Sequence, residues 1–141
     1  MCFYRSKENK HKTTGNNKIR CFKVMFEVVK NWVHPFRSSS PYEIYGVNDI
    51  MLPKQDILTE LLDEYTLIGA GVIHSFSTFE RAFYSGFYRN FNTTIVECEI
   101  PENTDYWEDK ENGLYISTKL VVKKIYTERE ILNLTNVIYH N

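Results

Sequence analysis

The sequence predicts an α+β fold, a single compact domain with a mixed, mainly antiparallel sheet and about three helices. Two observations carry that prediction. Apolar and polar residues alternate in short runs, most cleanly in Val96-Glu97-Cys98-Glu99-Ile100. Between such runs lie stretches of helical spacing whose starts carry capping boxes, Ser77-Thr78-Phe79-Glu80 and Thr127-Glu128-Arg129-Glu130.

Residues 1–17 are polar and basic and end in Thr13-Thr14-Gly15-Asn16-Asn17, which reads as a flexible arm or an extended edge segment. Residues 18–141 form the domain. Ile19 to Val29 is a strand rich in β-branched and aromatic residues, with Cys21, Lys23 and Met25 on one face and Arg20, Phe22, Val24 and Phe26 on the other. Because neither set is purely polar, both faces are expected to be covered. Trp32 to Tyr42, with two prolines and three serines, reads as irregular. Pro53 opens a helix carrying Ile57, Leu58, Leu61, Leu62 and Tyr65.

A short strand through Val72 and Ile73 then reaches His74, and the helix after it presents Phe79, Ala82 and Phe83. Ser77 is its expected cap, with Glu80 reaching back. Thr94 to Ile100 is a strand ended by Pro101, followed by an acidic loop holding Tyr106 and Trp107. Tyr115 to Ile125 reads as one long strand, and a final helix presents Ile131, Leu132 and Leu134.

At 141 residues, with 43% hydrophobic and 15% aromatic residues, the chain can bury a core without staples. A formal net charge of −1 gives no global attraction to nucleic acid or anionic lipid, so neither is an expected partner. Local charge is uneven. Arg5, Lys7, Lys10, Lys12, Lys18, Arg20 and Lys23 crowd the start, whereas Glu97, Glu99, Glu102, Asp105, Glu108, Asp109 and Glu111 crowd a later stretch. Solvated segments explain this, as does an arm that folds back on the acidic loop or a patch that docks a partner.

Cys2, Cys21 and Cys98 are odd in number and lack C-x-x-C spacing, which fits a reducing cytoplasm, with Cys21 and Cys98 as core thiols. His11, His34, His74 and His140 show no metal-ligand spacing, and neither a metal nor a cofactor is expected. No apolar run approaches the roughly 20 residues of a membrane helix. The expected location is the cytoplasm.

The candidate site is the strand-to-helix turn. His74, Ser75, Ser77 and Thr78 stand where free helix N–H groups and hydroxyls can meet a phosphate, ribose or carbonyl, and Tyr42, Tyr106 and Trp107 are available to stack on a base. A histidine and hydroxyls that only shape the turn are the alternative. Glu97 and Glu99 share a strand face and suit ion pairs across to Lys119 and Lys123, or an acid/base pair. No phosphate-cradling glycine loop and no nucleophile turn of the G-x-S-x-G kind occurs.

Several blocks together carry a resemblance: Met1-Cys2-Phe3-Tyr4, Ile19-Arg20-Cys21-Phe22-Lys23-Val24, Ser40-Pro41-Tyr42, Gly71-Val72-Ile73-His74-Ser75-Phe76, Val96-Glu97-Cys98-Glu99-Ile100-Pro101 and Tyr115-Ile116-Ser117-Thr118-Lys119-Leu120. In this order the chain resembles a family of small, mostly uncharacterised proteins encoded by phages and gut bacteria, which implies the cytoplasm of a host cell. A second likeness is to the ADP-ribosyltransferase-like fold. It would set His74, Ser75-Phe76-Ser77-Thr78 and Glu97-Cys98-Glu99 around NAD, although the Ser-Thr-Ser triplet of that fold is absent.

Without a complete catalytic set, the leading expectation is a non-enzymatic accessory protein of a phage or mobile element. It would bind a small nucleotide-like ligand or a host protein, as an anti-defence factor sequestering a nucleotide immune signal. The alternatives are an ADP-ribosyltransferase-like enzyme, with His74 holding NAD and Glu99 polarising the ribose, and a structural protein that forms homo-oligomers through an edge strand such as 19–29.

Overall fold

The computed structural model describes residues 4–5, 10–13, 17–35, 44–52, 66–67, 73–86 and 92–140. In chain order its elements are β1 (Tyr4–Arg5), β2 (Lys10–Lys12), β3 (Ile19–Val29), β4 (Trp32–Pro35), β5 (Ile50–Met51), β6 (Thr66–Leu67) and β7 (Ile73–Phe76). Then follow α1 (Phe79–Gly86), β8 (Thr93–Ile100), β9 (Asp105–Asp109), β10 (Leu114–Ser117), β11 (Leu120–Ile125) and α2 (Glu128–His140). The helix expected from Pro53 to Tyr65 lies outside the described residues, so two helices are described where about three are predicted.

β1 pairs with β6, and the other strands build one nine-stranded sheet in the order β2-β9-β10-β7-β3-β8-β11-β5, with β4 also on β3. Every pairing between described strands is antiparallel. β3 is long enough to hold two partners along one side. Phe22 pairs with Phe76 of β7, and Met25 to Val29 pair with β4. β8 takes the whole opposite side, from Ile19↔Ile100 to Phe26↔Thr93. Ile19–Val29 is therefore interior to the sheet, not the edge strand expected for self-association; among the described strands the ends of the path are β2 and β5, with β4 on β3 alone.

The connections show that this sheet rolls. Only Thr118 and Lys119 join β10 to β11, and so short a link reaches about 10 Å at most. Along the sheet path those strands stand four spacings apart, roughly 19 Å if the sheet were flat. Curling the sheet is the way both hold. The concave inner face carries Cys21, Met25, Met51, Ile73, Val96, Cys98, Ile100, Leu120 and Val122 in one buried cluster, with Tyr106 and Tyr115 packed against it. The convex outer face carries Phe22, Val24 and Ile95 beneath Ala82 and Phe83 of α1 and Ile131 of α2.

Local chemistry explains the turns. Lys30-Asn31 closes the β3–β4 hairpin with Asn31 at φ 69°, a left-handed conformation asparagine tolerates. β4 thus occupies the start of the stretch predicted as irregular; residues 36–43, Tyr42 among them, lie outside the described residues. The predicted long strand from Tyr115 to Ile125 is two strands, since its halves serve opposite ends of the sheet path: β10 bonds β9 and β7, β11 bonds β8 and β5.

The acidic loop contains β9, and β2 of the basic arm lies on it, with Lys10↔Trp107, His11↔Tyr106 and Lys12↔Asp105. Thr13 continues that anchoring, donating from its backbone N–H to Thr104 (3.1 Å) and from its hydroxyl to the Pro101 carbonyl (2.5 Å). The described part of the arm is thus the extended edge segment, folded back on the acidic stretch.

Candidate functional site

β7 places the predicted site residues, and a strand turns successive side chains to opposite faces. Ser75 pairs with Tyr115 and His74 with Ile116, while Tyr115 pairs with Glu108 and Ile116 with Trp107. His74 and Trp107 therefore share the outer face. Ser75 and Tyr106 share the inner one, Tyr106 standing opposite Ser117. The structure does not gather the predicted set into one place. Ser77 and Thr78 lie beyond the strand at the start of α1, and Tyr42 is outside the described residues.

The turn itself differs in one detail. Thr78, not Ser77, caps α1: the Arg81 N–H donates to Thr78 Oγ1 at 3.2 Å and the Ala82 N–H to the Thr78 carbonyl at 3.2 Å. Ser77 instead ties the turn to the β9–β10 connection, its N–H donating to the Gly113 carbonyl at 2.9 Å. Gly113 sits at φ 63°, and a Cβ there would come within 2.8 Å of Ser77 Oγ and closer still to Arg81. That close approach requires glycine. The second capping box is as predicted: the Glu130 N–H donates to Thr127 Oγ1 and the Thr127 N–H to Glu130 Oε1, both at 3.2 Å.

His74 stays exposed, yet burial of its surroundings, with the Lys23 charge second, lowers its pKa to about 4. At neutral pH its ring is uncharged, able to donate one hydrogen bond and accept another but not to act as a cation. Glu97 and Glu99 lie on the same outer face. Glu97 pairs with Arg20 at 2.5 Å and accepts from the Tyr126 hydroxyl at 3.5 Å, so its ion pair is diagonal to β3 and not with Lys119 or Lys123. Phe22 pairs with both Phe76 and Glu97, which offsets His74 and Glu99 by four residues across two strand spacings, roughly 16 Å.

Polar groups of a different kind collect on the inner face. The Phe22–Phe76 pairing sets Lys23 beside Ser75, so that Lys23, Ser75, Tyr115 and Glu108 form one row across β3, β7, β10 and β9. Ser117 lies one step along β10 beside Tyr106. Ser75 is 1% exposed and Ser117 0%; the Ser117 hydroxyl has no hydrogen-bond partner, and the Ser75 hydroxyl has no nitrogen or oxygen partner, only the weak Cys21 thiol beside it. Lys23 is half-buried. Its ammonium donates to the His74 carbonyl at 2.8 Å, and no carboxylate among the described residues pairs with it. Burial lowers its pKa. Tyr115 has its pKa raised by burial and then by Glu108, and its ring meets Tyr106 edge-on at 6.1 Å.

Cys21 and Cys98 face each other in register beside this row. Burial pushes the Cys21 thiol up to about 12, and burial together with Cys21 pushes Cys98 well up. Both are core thiols, held protonated and poor as nucleophiles. Among the described residues no cluster of His, Cys, Asp and Glu suits a metal ion, and no helix is long and apolar enough to cross a membrane.

No family model, curated protein or solved structure matches the chain.

Sequence reading missed Lys23, Ser117 and Tyr115 as site residues. The available signal was Lys23 in Ile19-Arg20-Cys21-Phe22-Lys23-Val24-Met25: it falls on the face shared by Cys21 and Met25, the two most buried residues of the strand. A lysine on a core face is rare unless something pairs with it.

Proposed function

We propose that this chain is a non-enzymatic binding protein that takes a small nucleotide-like ligand on the inner face of its rolled sheet. One observation carries the reading. Ser75 buries a hydroxyl with no nitrogen or oxygen partner beside a lysine that has no carboxylate among the described residues, and Ser117 buries another two strands away, on a face otherwise packed with apolar side chains. Each buried hydroxyl left unsatisfied costs about 1–3 kcal/mol, and a ligand offering oxygen acceptors recovers that cost. Tyr106 and Tyr115 add aromatic surface of the kind that packs against a base. The mouth of a rolled sheet is also a common place for small ligands.

The block resemblance to proteins of phages and gut bacteria supports an accessory role in a host cell, sequestering a nucleotide signal. The transferase reading lacks comparable support, because His74 and Glu99 stand far apart on the outer face. Calorimetry against mononucleotides, cyclic nucleotides, NAD and ADP-ribose tests the proposal. Heat with at least one of them, lost in the Ser75→Ala/Ser117→Ala double variant, is the expected result; no heat from any of them sinks it.

A further inference from the structure

The row on the inner face has a direction. At its β3 end stands the Lys23 ammonium, and at its β9 end the Glu108 carboxylate. Ser75 and Tyr115 lie between them, over three strand spacings or roughly 14 Å. The geometry points to a ligand of matching polarity: one anionic oxygen group held by Lys23 and Ser75, and at the far end a hydrogen-bond donor received by Glu108. This rests on the binding role proposed above and specifies which nucleotide chemistry the site takes.

Each end has its own reason. An ammonium donates three hydrogen bonds, and Lys23 uses one on the His74 carbonyl. Its remaining donors have no carboxylate among the described residues, and a partly buried charge without a counter-ion is unfavourable. A phosphoryl or carboxylate group supplies that counter-ion, and the Ser75 hydroxyl, 1% exposed with only the weak Cys21 thiol as a partner, stands on the neighbouring strand to donate. At the other end a second anion would face Glu108 and be repelled. A donor such as an exocyclic amine is accepted there, where Glu108 already acts on the Tyr115 phenol. The Tyr115 and Tyr106 rings meet edge to face beside this row. A ligand with a single phosphoryl end and an amine-bearing base satisfies all of these groups, whereas one charged at both ends does not.

The test uses the full chain with adenosine 5′-monophosphate, inosine 5′-monophosphate and adenosine as probes in calorimetry. The wild type is expected to bind the adenine nucleotide more tightly than the inosine nucleotide, which carries a carbonyl in place of the amine. Lys23→Met, which keeps the apolar stem, is expected to weaken the adenine nucleotide at least about tenfold while leaving adenosine unchanged. Glu108→Gln is expected to erase the preference for adenine over inosine, and matching melting curves establish that both variants fold. If the wild type binds the nucleotides and both variants behave like it, the polarity is wrong and the binding role stands. The polarity is equally wrong if these three probes fail while another ligand of the wider panel binds. If nothing binds, both fall together.

Discussion

The two faces of the sheet treat their polar groups differently. On the outer face Arg20 bridges to Glu97 at 2.5 Å and lies 5.0 Å over the Phe22 ring, while Lys124 bridges to Glu130 at 2.5 Å and lies 4.8 Å over Tyr126. Each cation there has a carboxylate and an aromatic ring. On the inner face Lys23 has a single carbonyl, the Ser117 hydroxyl has no partner, and the Ser75 hydroxyl has only the weak Cys21 thiol. The outer-face cations thus have counter-ions, and the half-buried Lys23 has none among the described residues. His34 Nδ1, opposite Phe26 on the outer face, is also buried without a partner, so the contrast between the faces lies in their charged groups.

Truncating the outer face should produce the largest effect. Ile95 is fully buried beneath the helices, and Ile95→Ala is expected to cost about 2–5 kcal/mol, read as a lower urea midpoint at unchanged slope. The caps come next. Thr127→Ala and Thr78→Ala each remove an acceptor for a helix N–H and should cost about 0.5–2 kcal/mol, whereas Ser77→Ala should cost less than Thr78→Ala. A larger loss at Ser77 would return the cap to the position the capping-box pattern suggests.

The inner face should answer in the opposite sense. Ser117→Ala deletes a hydroxyl without stranding a partner, and Ser75→Ala loses only a weak contact with the Cys21 thiol, so stability is expected to hold or to rise by up to about 1 kcal/mol. A loss of about 2 kcal/mol or more would show that these hydroxyls are structural, and the contrast between the faces would disappear. Loss of ligand heat in a variant that melts no earlier than the wild type is the result that separates a site from a scaffold.

What the chain reveals before folding divides along the same line. Alternation exposed β3 and β8 well, because Cys21, Met25, Val96 and Cys98 obey a period set by their own backbone. The Thr127 box was readable for the same local reason. The break at Thr118 and the strand within Asp105–Asp109 were not readable, since each depends on which distant strand lies alongside, while opposite charge offered the docking of Lys10–Lys12 only as one of three alternatives. The site shows the same limit. His74 and Ser75 are neighbours in sequence and strangers in space, whereas Lys23, Ser75, Tyr115 and Glu108 form a row only once four strands find their register. Polar clusters within one segment are visible in sequence; polar rows across a sheet are not.

A pH-dependent effect concerns His74, the one predicted site residue whose ring faces outward near a charge on the inner side. Burial and Lys23 lower its folded pKa to about 4, below the value of about 6.5 expected of the unfolded chain. The unfolded state therefore binds the proton first as pH falls. The stability this residue contributes is present in full above pH 6.5 and declines toward pH 4, flattening below it. The Glu130 carboxyl, lowered by Lys124, adds to the acid loss from a lower window, so wild type must be compared with His74→Gln. Urea midpoints at pH 7, 5.5 and 4.5 should fall less steeply in the variant, because glutamine takes up no proton. Parallel curves would mean that the imidazole titrates as if in water. The burial that dominates its lowered pKa would then be absent from the ring in solution.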